Sequence, residues 1–376
     1  MSQFGLLLVT GNQTHQENYA RAFAADPRCR LVGLTDEPTD ERRAALNRKL
    51  AEELDIPFLE NFSEAVRRED VDFVSICSEP ERRLRLTLEC VEAGKHIYFD
   101  KDPAPTVAAA RQIAEAVSKR GLLSQAFSLV RVPAAAQAKA AFESGELGDL
   151  IGLHCDITFA KGLAGTATLG PREEKPHPTQ FSFFDSKREF LCVGYYAVAF
   201  FQWLTGQRFA TVDATTSNYF FTEHQKNDVE DFSCAMLGLE NGVEATITAG
   251  RCGWKSHPTH GIHDIRLIGT KGSLTLDAYA PRLVTFCDAE PWSPPAEPHP
   301  EDPMGFWSST TKASGVAPKT DWQPIQDAAK SDAACFLDCL ESGKQSDMSV
   351  VLAAHSVEVV HAVYESASTG ETVQLA

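Results

Sequence analysis

The sequence predicts an α/β chain in which a doubly wound parallel sheet is followed by an α+β unit built on a large, mostly antiparallel sheet. Three observations carry this. Short, unbroken apolar runs alternate with helical stretches over roughly the first 125 residues, the pattern of strands buried on both faces of a parallel sheet. From about residue 150 the runs lengthen and alternate in polarity, with Asn241-Gly242 and Lys271-Gly272 as hairpin turns. At 376 residues the chain exceeds one ordinary core, so two domains are expected, 1–125 and 126–376.

In the first domain, Phe4 to Thr10 reads as a buried strand, followed by Gly11-Asn12-Gln13-Thr14-His15-Gln16 and a helix from Glu17 to Ala25. Arg30 to Thr35 reads as a second strand ending in Asp36. Strand, turn, helix, strand and acid form the layout of a mononucleotide-binding βαβ unit. An acid at the end of the second strand accepts bonds from a ribose 2′-hydroxyl and repels a 2′-phosphate, so Asp36 points to NAD, with NADP the less favoured cofactor. The phosphate loop departs from G-x-G-x-x-G: Gly11 is present, but Gln13 and Gln16 stand at the other two glycine positions. The alternation continues through helices at Asp40–Leu54, Ser63–Arg68, Glu81–Ala93 and Pro105–Arg120, and strands at Val71–Cys77, His96–Phe99 and Leu122–Phe127. Lys101 follows the strand at His96–Phe99. It sits at the carboxyl end of a parallel strand, where open α/β sheets bind ligands, and can contact a hydroxyl or carbonyl beside a bound cofactor.

After a helix at Pro133–Ser144, the strands expected in the second domain are Leu150–Phe159, Ala210–Phe221, Val229–Leu239, Glu244–Arg251, Ile262–Gly269 and Ser273–Asp277, with an apolar helix at Gly194–Leu204. Nine of the 20 prolines fall between Pro281 and Pro324, so 281–324 is expected to be a long loop without secondary structure. Helices at Asp321–Glu341 and Ser349–Ser368 and a short strand at Thr372–Leu375 close the chain.

Composition bounds the function. The net charge of −17 argues against nucleic-acid and anionic-membrane partners. The ten cysteines show no disulfide or metal-ligand spacing, which predicts a reducing cytoplasm. The apolar N-terminal run lacks a basic leader and reads as a strand, and no run reaches membrane-spanning length. His257, His260 and His263 have odd spacings with no matching carboxylate or cysteine, so no metal site is assigned.

Val71-Asp72-Phe73-Val74-Ser75-Ile76-Cys77, Glu92-Ala93-Gly94-Lys95-His96 and Asp100-Lys101 run in one register. They are joined by Ser144-Gly145-Glu146-Leu147-Gly148, Trp203-Leu204-Thr205-Gly206 and Ile268-Gly269-Thr270-Lys271-Gly272-Ser273-Leu274. In order and spacing these resemble the glucose–fructose oxidoreductase/inositol dehydrogenase (Gfo/Idh/MocA) superfamily over nearly the whole length. The resemblance implies an NAD(P)-binding Rossmann-type domain, a C-terminal domain whose open sheet mediates homodimers or homotetramers, and hydride transfer at a carbinol carbon of a sugar, cyclitol or related polyol. The lysine of the family's "E/D-K-P" motif corresponds to Lys101, although Asp102 replaces the Pro. The family's "D-x-G-x-H-x-x-D" segment reads here Cys192-Val193-Gly194-Tyr195-Tyr196-Ala197-Val198-Ala199, so Tyr196 stands in place of the His.

Removing the hydroxyl proton requires a base, and a phenol beside an ammonium can serve, which makes Lys101 and Tyr196 the expected proton-transfer couple. Cys192, one turn before Tyr196, lines the same pocket in this reading and is assigned no chemistry. Ser78-Glu79-Pro80 stands where relatives carry T-P-N, and Arg83 where they carry His. The expected cofactor-binding set is Gly11, Asn12, Gln13, Thr14, His15, Asp36, Ser78, Lys101 and Gln125, the last near the nicotinamide. The losses leave two alternatives open: a binding or regulatory relative without redox activity, and a lyase or hydrolase that uses NAD as a transient redox partner.

Overall fold

The computed structural model describes residues 3–11, 15–37, 41–160, 172–183, 185–252, 261–279, 282–287, 320–322 and 331–375. The first domain runs β1 (Phe4–Val9), α1 (Gln16–Ala24), β2 (Cys29–Thr35), α2 (Glu41–Glu53), β3 (Phe58–Leu59), α3 (Phe62–Val66), β4 (Phe73–Ile76), α4 (Pro80–Glu92), β5 (His96–Phe99), α5 (Val107–Lys119) and β6 (Ser124–Ala126). The strands form one six-stranded sheet of order β3-β2-β1-β4-β5-β6, parallel throughout. Leu6 to Val9 and Phe73 to Ile76 are fully buried, as a sheet covered on both faces requires. The order reverses between β1 and β4, the switch point beyond whose carboxyl ends such sheets bind ligands.

The second domain runs α6 (Pro133–Glu143), β7 (Leu150–Ala160), α7 (Tyr195–Thr205), β8 (Phe209–Ser217), α8 (Thr222–Lys226), β9 (Phe232–Leu239), β10 (Glu244–Cys252), β11 (Gly261–Gly269), β12 (Gly272–Asp277), β13 (Arg282–Cys287), β14 (Thr320–Trp322), α9 (Asp332–Ser342), α10 (Val350–Thr369) and β15 (Val373–Gln374). Its nine strands are ordered β14-β13-β12-β11-β7-β10-β9-β8-β15. Every pair is antiparallel except β7 with β10. The mixed α/β architecture is the expected one.

Four elements differ from expectation. The strand expected over 210–221 stops at Ser217, because the Asp231 carboxylate takes the backbone N–H groups of Tyr219, Phe220 and Phe221 at 2.8–3.0 Å and bends the chain into α8. The proline-rich stretch carries two strands, β13 and β14, at its ends. Asp321 lies in β14; the helix expected from there begins at Asp332, where the Ser331 hydroxyl accepts the Ala334 N–H and caps it. Finally, the turn before α7 is a π-helical turn, Phe190–Gly194, held by buried Glu230, which accepts from the Phe190 N–H and the Tyr364 hydroxyl. Such turns cluster at functional sites. Among the described residues no helix is long and apolar enough to cross a membrane.

The two domains share a wall. α9, from the far end of the chain, packs on the first sheet beside α1, with Phe336 against Phe73 and Tyr98 at ring-centroid separations of 5.7 and 5.9 Å. Gln125, at the end of β6, donates to the Asp332 carbonyl and carboxylate at 2.8 and 2.9 Å and accepts from Ser346. Phe336→Ala should therefore cost about 3–5 kcal/mol, as deletion of a fully buried aromatic does. Urea unfolding should show the lowered midpoint, and an unchanged midpoint would mean that α9 does not anchor the wall.

Candidate active site

The site is built around a turn. Lys101 follows β5 and has φ +55°, a left-handed conformation that costs a non-glycine residue energy unless its surroundings enforce it. The enforcing group is Arg83 on α4, which is 1% exposed. Its Nε donates to the Ser78 carbonyl at 2.9 Å. Its Nη1 donates to the Asp100 carbonyl at 2.9 Å and to the Asp102 carbonyl, those of the two residues flanking Lys101. It also pairs with the carboxylates of Asp100 at 3.3 Å and Asp102 at 3.1 Å. The two departures from the family motif, Arg for His at 83 and Asp for Pro at 102, thus answer each other: each supplies the other's counter-charge.

Asp100 accepts from the Tyr19 hydroxyl at 2.6 Å and pairs with His15 Nδ1 at 3.1 Å. Burial works against its charge, but the His15 hydrogen bond and the Arg83 and Lys101 charges outweigh that and hold its carboxyl well below the usual range. Burial likewise opposes the Lys101 ammonium, but Cys192, Asp102 and Asp100 around it raise its pKa, so it stays cationic.

Lys101, His15 and Tyr196 line one cavity of about 590 Å³ between the domains. Lys101 Nζ lies 6.0 Å from the centre of the Tyr196 ring. Tyr196 is buried edge-on against Phe127, and the Tyr195 hydroxyl donates to the Lys101 carbonyl at 3.4 Å. The expectation that the ammonium lowers the Tyr196 pKa is not met. Burial first, then the Asp100 charge, push the phenol well above its ordinary value, so it is an O–H donor at neutral pH. Cys192 lies on the π-turn in the same cavity; burial raises its thiol pKa despite the neighbouring cations, so it also stays protonated.

The other expected residues divide. Asn12, Gln13 and Thr14 lie outside the described residues, as do His257 and His260. Gln16, at the third glycine position, is buried and staples β1 to β4: its Nε2 donates to the Ser75 and Val9 carbonyls, and its Oε1 accepts from the Ser75 hydroxyl. Ser78 is fully buried, with its carbonyl on Arg83. Gln125 is fully buried and faces α9, not the cavity. Asp36 is also fully buried. Its carboxylate is engaged by Arg43 at 2.7 Å, Arg82 at 2.5 Å, Asn47 at 2.9 Å and the Glu37 N–H at 2.7 Å. It ties α2 to α4, and so the cofactor preference read from it does not follow from its surroundings. His263 is buried among Phe200 and Tyr279 with its pKa pushed down to about 3 by desolvation, a neutral core histidine.

The sequence reading missed Tyr19, Asp100, Lys187 and Arg251. His15 and Tyr19 stand four residues apart on one face of α1, a spacing that could have flagged the pair. Lys187 and Arg251 reach the cavity from separate elements of the second domain, for which no local signal exists.

A family model described as an oxidoreductase family with an NAD-binding Rossmann fold matches residues 7–127, and one for the GFO/IDH/MocA C-terminal domain matches 135–275. The chain belongs to the Gfo/Idh/MocA oxidoreductases. It is 24% identical over 268 residues, 69% of each chain, to dTDP-3,4-didehydro-2,6-dideoxy-alpha-D-glucose 3-reductase from Streptomyces violaceoruber. It is 26% identical over 119 residues to the uncharacterized oxidoreductase YhhX of Escherichia coli, spanning about a third of that protein (34%) and 31% of this chain. In structure it is similar to levoglucosan dehydrogenase in complex with NADH and levoglucosan, with a TM-score of 0.73, 17% identity and 99% of each chain covered.

Does the β1–α1 turn of this Gfo/Idh/MocA member fit a dinucleotide? A Cβ placed on Gly11 would lie 2.5 Å from Glu79 Oε2, so a carboxylate covers the backbone that a pyrophosphate must approach. That carboxylate is the far end of a flexible side chain, paired with Arg82 at 2.9 Å. Gly11 would be open to a pyrophosphate once Glu79 turned off it; residues 12–14 of the turn lie outside the described residues.

Breaking the buried Arg83–Asp102 pair from either side should cost about 3–5 kcal/mol. Arg83→His combined with Asp102→Pro should cost less than the sum of the single changes by at least about 1 kcal/mol. Additive losses in a double-mutant cycle of denaturation midpoints would show that the two departures are independent.

Proposed function

We propose that the protein is an NAD(P)-dependent oxidoreductase that transfers a hydride to or from a carbinol carbon of a sugar, cyclitol or related polyol. The observation that carries this reading is the meeting of Lys101 and Tyr196 in one cavity at the carboxyl end of the first sheet. The sugar-directed activities named for the Streptomyces reductase and levoglucosan dehydrogenase point the same way.

The nicotinamide supplies or receives the hydride. The chain's own residues handle the oxygen. The Lys101 ammonium, fixed by Arg83, orients that oxygen and stabilises negative charge on it. The Tyr196 phenol, protonated at neutral pH, donates the proton when a carbonyl becomes an alcohol. Carbonyl reduction starts from the protonated phenol that the site holds at neutral pH, whereas alcohol oxidation starts from the phenolate. Asp100, ionised and tied to His15 and Tyr19, keeps Lys101 charged and in place.

Lys101→Ala and Tyr196→Phe should each lower kcat about a hundredfold or more while NADH affinity stays within about twofold, measured by fluorescence titration. With the wild-type chain, carbonyl reduction should hold its rate from about pH 7 to about pH 9, since the phenol keeps its proton over that range. Normal turnover by Tyr196→Phe, or a rate that falls across that range, would remove Tyr196 as donor.

The covering carboxylate favours a second reading, a relative that kept the fold without the redox chemistry. Glu79→Gln separates the two. On the enzymatic reading it removes a charge that repels the pyrophosphate and should tighten NADH binding about tenfold. Absence of NADH and NADPH binding in both wild type and Glu79→Gln would leave only the second reading.

A further inference from the structure

The charged side chains that line the cavity are mostly basic, although the chain is acidic. The chain carries 52 acidic and 35 basic residues, yet the cavity is lined by Lys101, Lys187 and Arg251 against one carboxylate among the described residues, Asp332. Arg251 is held by Glu189 at 2.5 Å. Glu189 is fully buried and does not line the cavity, so the counter-ion sits behind the guanidinium and not in front of it. Lys101 has its partners, Asp100 and Asp102, in the turn that carries it. All three cations favour ionisation of the Cys192 thiol, and all four side chains line the cavity.

A neutral polyol presents hydroxyl donors and is gripped by acceptors such as carboxylates and amides. Lys101, Lys187 and Arg251 donate and cannot accept, while the Asn18 amide and the tyrosine hydroxyls of the same wall can do both. A ligand that matches these cations brings its own acceptor oxygens and a negative charge, and it gains charge-assisted hydrogen bonds.

We propose that the substrate is a sugar acid whose carboxylate is held by Lys187 and Arg251 over Cys192, with its reacting carbon toward Lys101 and Tyr196. The inference rests on the reading of this cavity as the substrate site, and it concerns recognition, so binding tests it without turnover. A carboxylate is the acid named because Arg251 presents a planar fork of N–H donors that a carboxylate matches with two parallel bonds.

The test is calorimetric titration of the full chain with D-gluconate and D-glucuronate, against D-glucitol, D-glucose and glucose 6-phosphate as matched probes. At low salt an acid should bind at least tenfold more tightly than its neutral counterpart, and 0.5 M NaCl should narrow that gap. Lys187→Gln should weaken acid binding about tenfold and leave NADH affinity unchanged. Arg251→Lys, which keeps a cation for buried Glu189 and so protects the fold, should weaken it by a similar factor. Equal or tighter binding of the neutral sugars, tighter binding of glucose 6-phosphate, acid binding unchanged in both variants, or no acid-dependent binding at all would each overturn the proposal. Failure of the oxidoreductase reading looks different: the acids bind as described, but no NAD(P)H is consumed or formed with any of them.

Discussion

One buried guanidinium sets the geometry of the molecule's interior. Arg83 reaches from α4 across the ends of β4 and β5 and takes the carbonyls of Ser78, Asp100 and Asp102 together with two carboxylates. A fully buried charge is expensive unless every donor is met, and here backbone and side-chain acceptors meet it. What it fixes is the left-handed residue Lys101, and with it the backbone from which the Lys101 ammonium enters the cavity. An isolated lysine in a proline-rich turn would sample many conformers. This one starts from a single backbone state, so the cost of aiming it is met in folding and not again at each binding event.

The consequences run outward from that turn. Asp100 carries charge from Arg83 to Tyr19 and His15 on α1, so the helix that follows the cofactor turn is tied to the strand that carries the lysine. Gln16 joins β1 to β4 a few residues earlier. These two ties give the switch point side-chain cross-links in addition to its sheet hydrogen bonds. The second tie offers a physical reason why the chain tolerates Gln16 at the third glycine position: its side chain is absorbed as a fastener.

Most of the architecture was legible in the sequence because it rests on local patterns. Buried parallel strands read as apolar runs, and Asn241-Gly242 and Lys271-Gly272 sit where the hairpins turn. What failed was decided by contacts far apart in the chain. Nothing near residues 217–221 announces that Asp231 will take three N–H groups there. Gln125 looked like a cofactor contact because it ends a strand at the right edge of the sheet, yet α9, more than two hundred residues later, claims its amide. Asp36 has the right place for a ribose contact, but Arg43 and Arg82 reach it from two helices. Lys101 and Tyr196 were paired by a family register and do line one cavity; the direction of the phenol's shift was not legible, since burial, a property of the folded chain, outweighs the nearby ammonium.

The same competition between burial and charge decides what the cavity can do. Tyr196 and Cys192 both sit near cations that would favour their ionised forms, and in both desolvation wins. The cavity therefore holds fixed positive charges beside neutral, protonated donors. On the proposed function, such an interior suits an oxygen that gains electron density, with the counter-ions of Lys101 and Arg251 built into the turn and the wall behind them. The cations of the cavity wall act at close range, where screening is weakest.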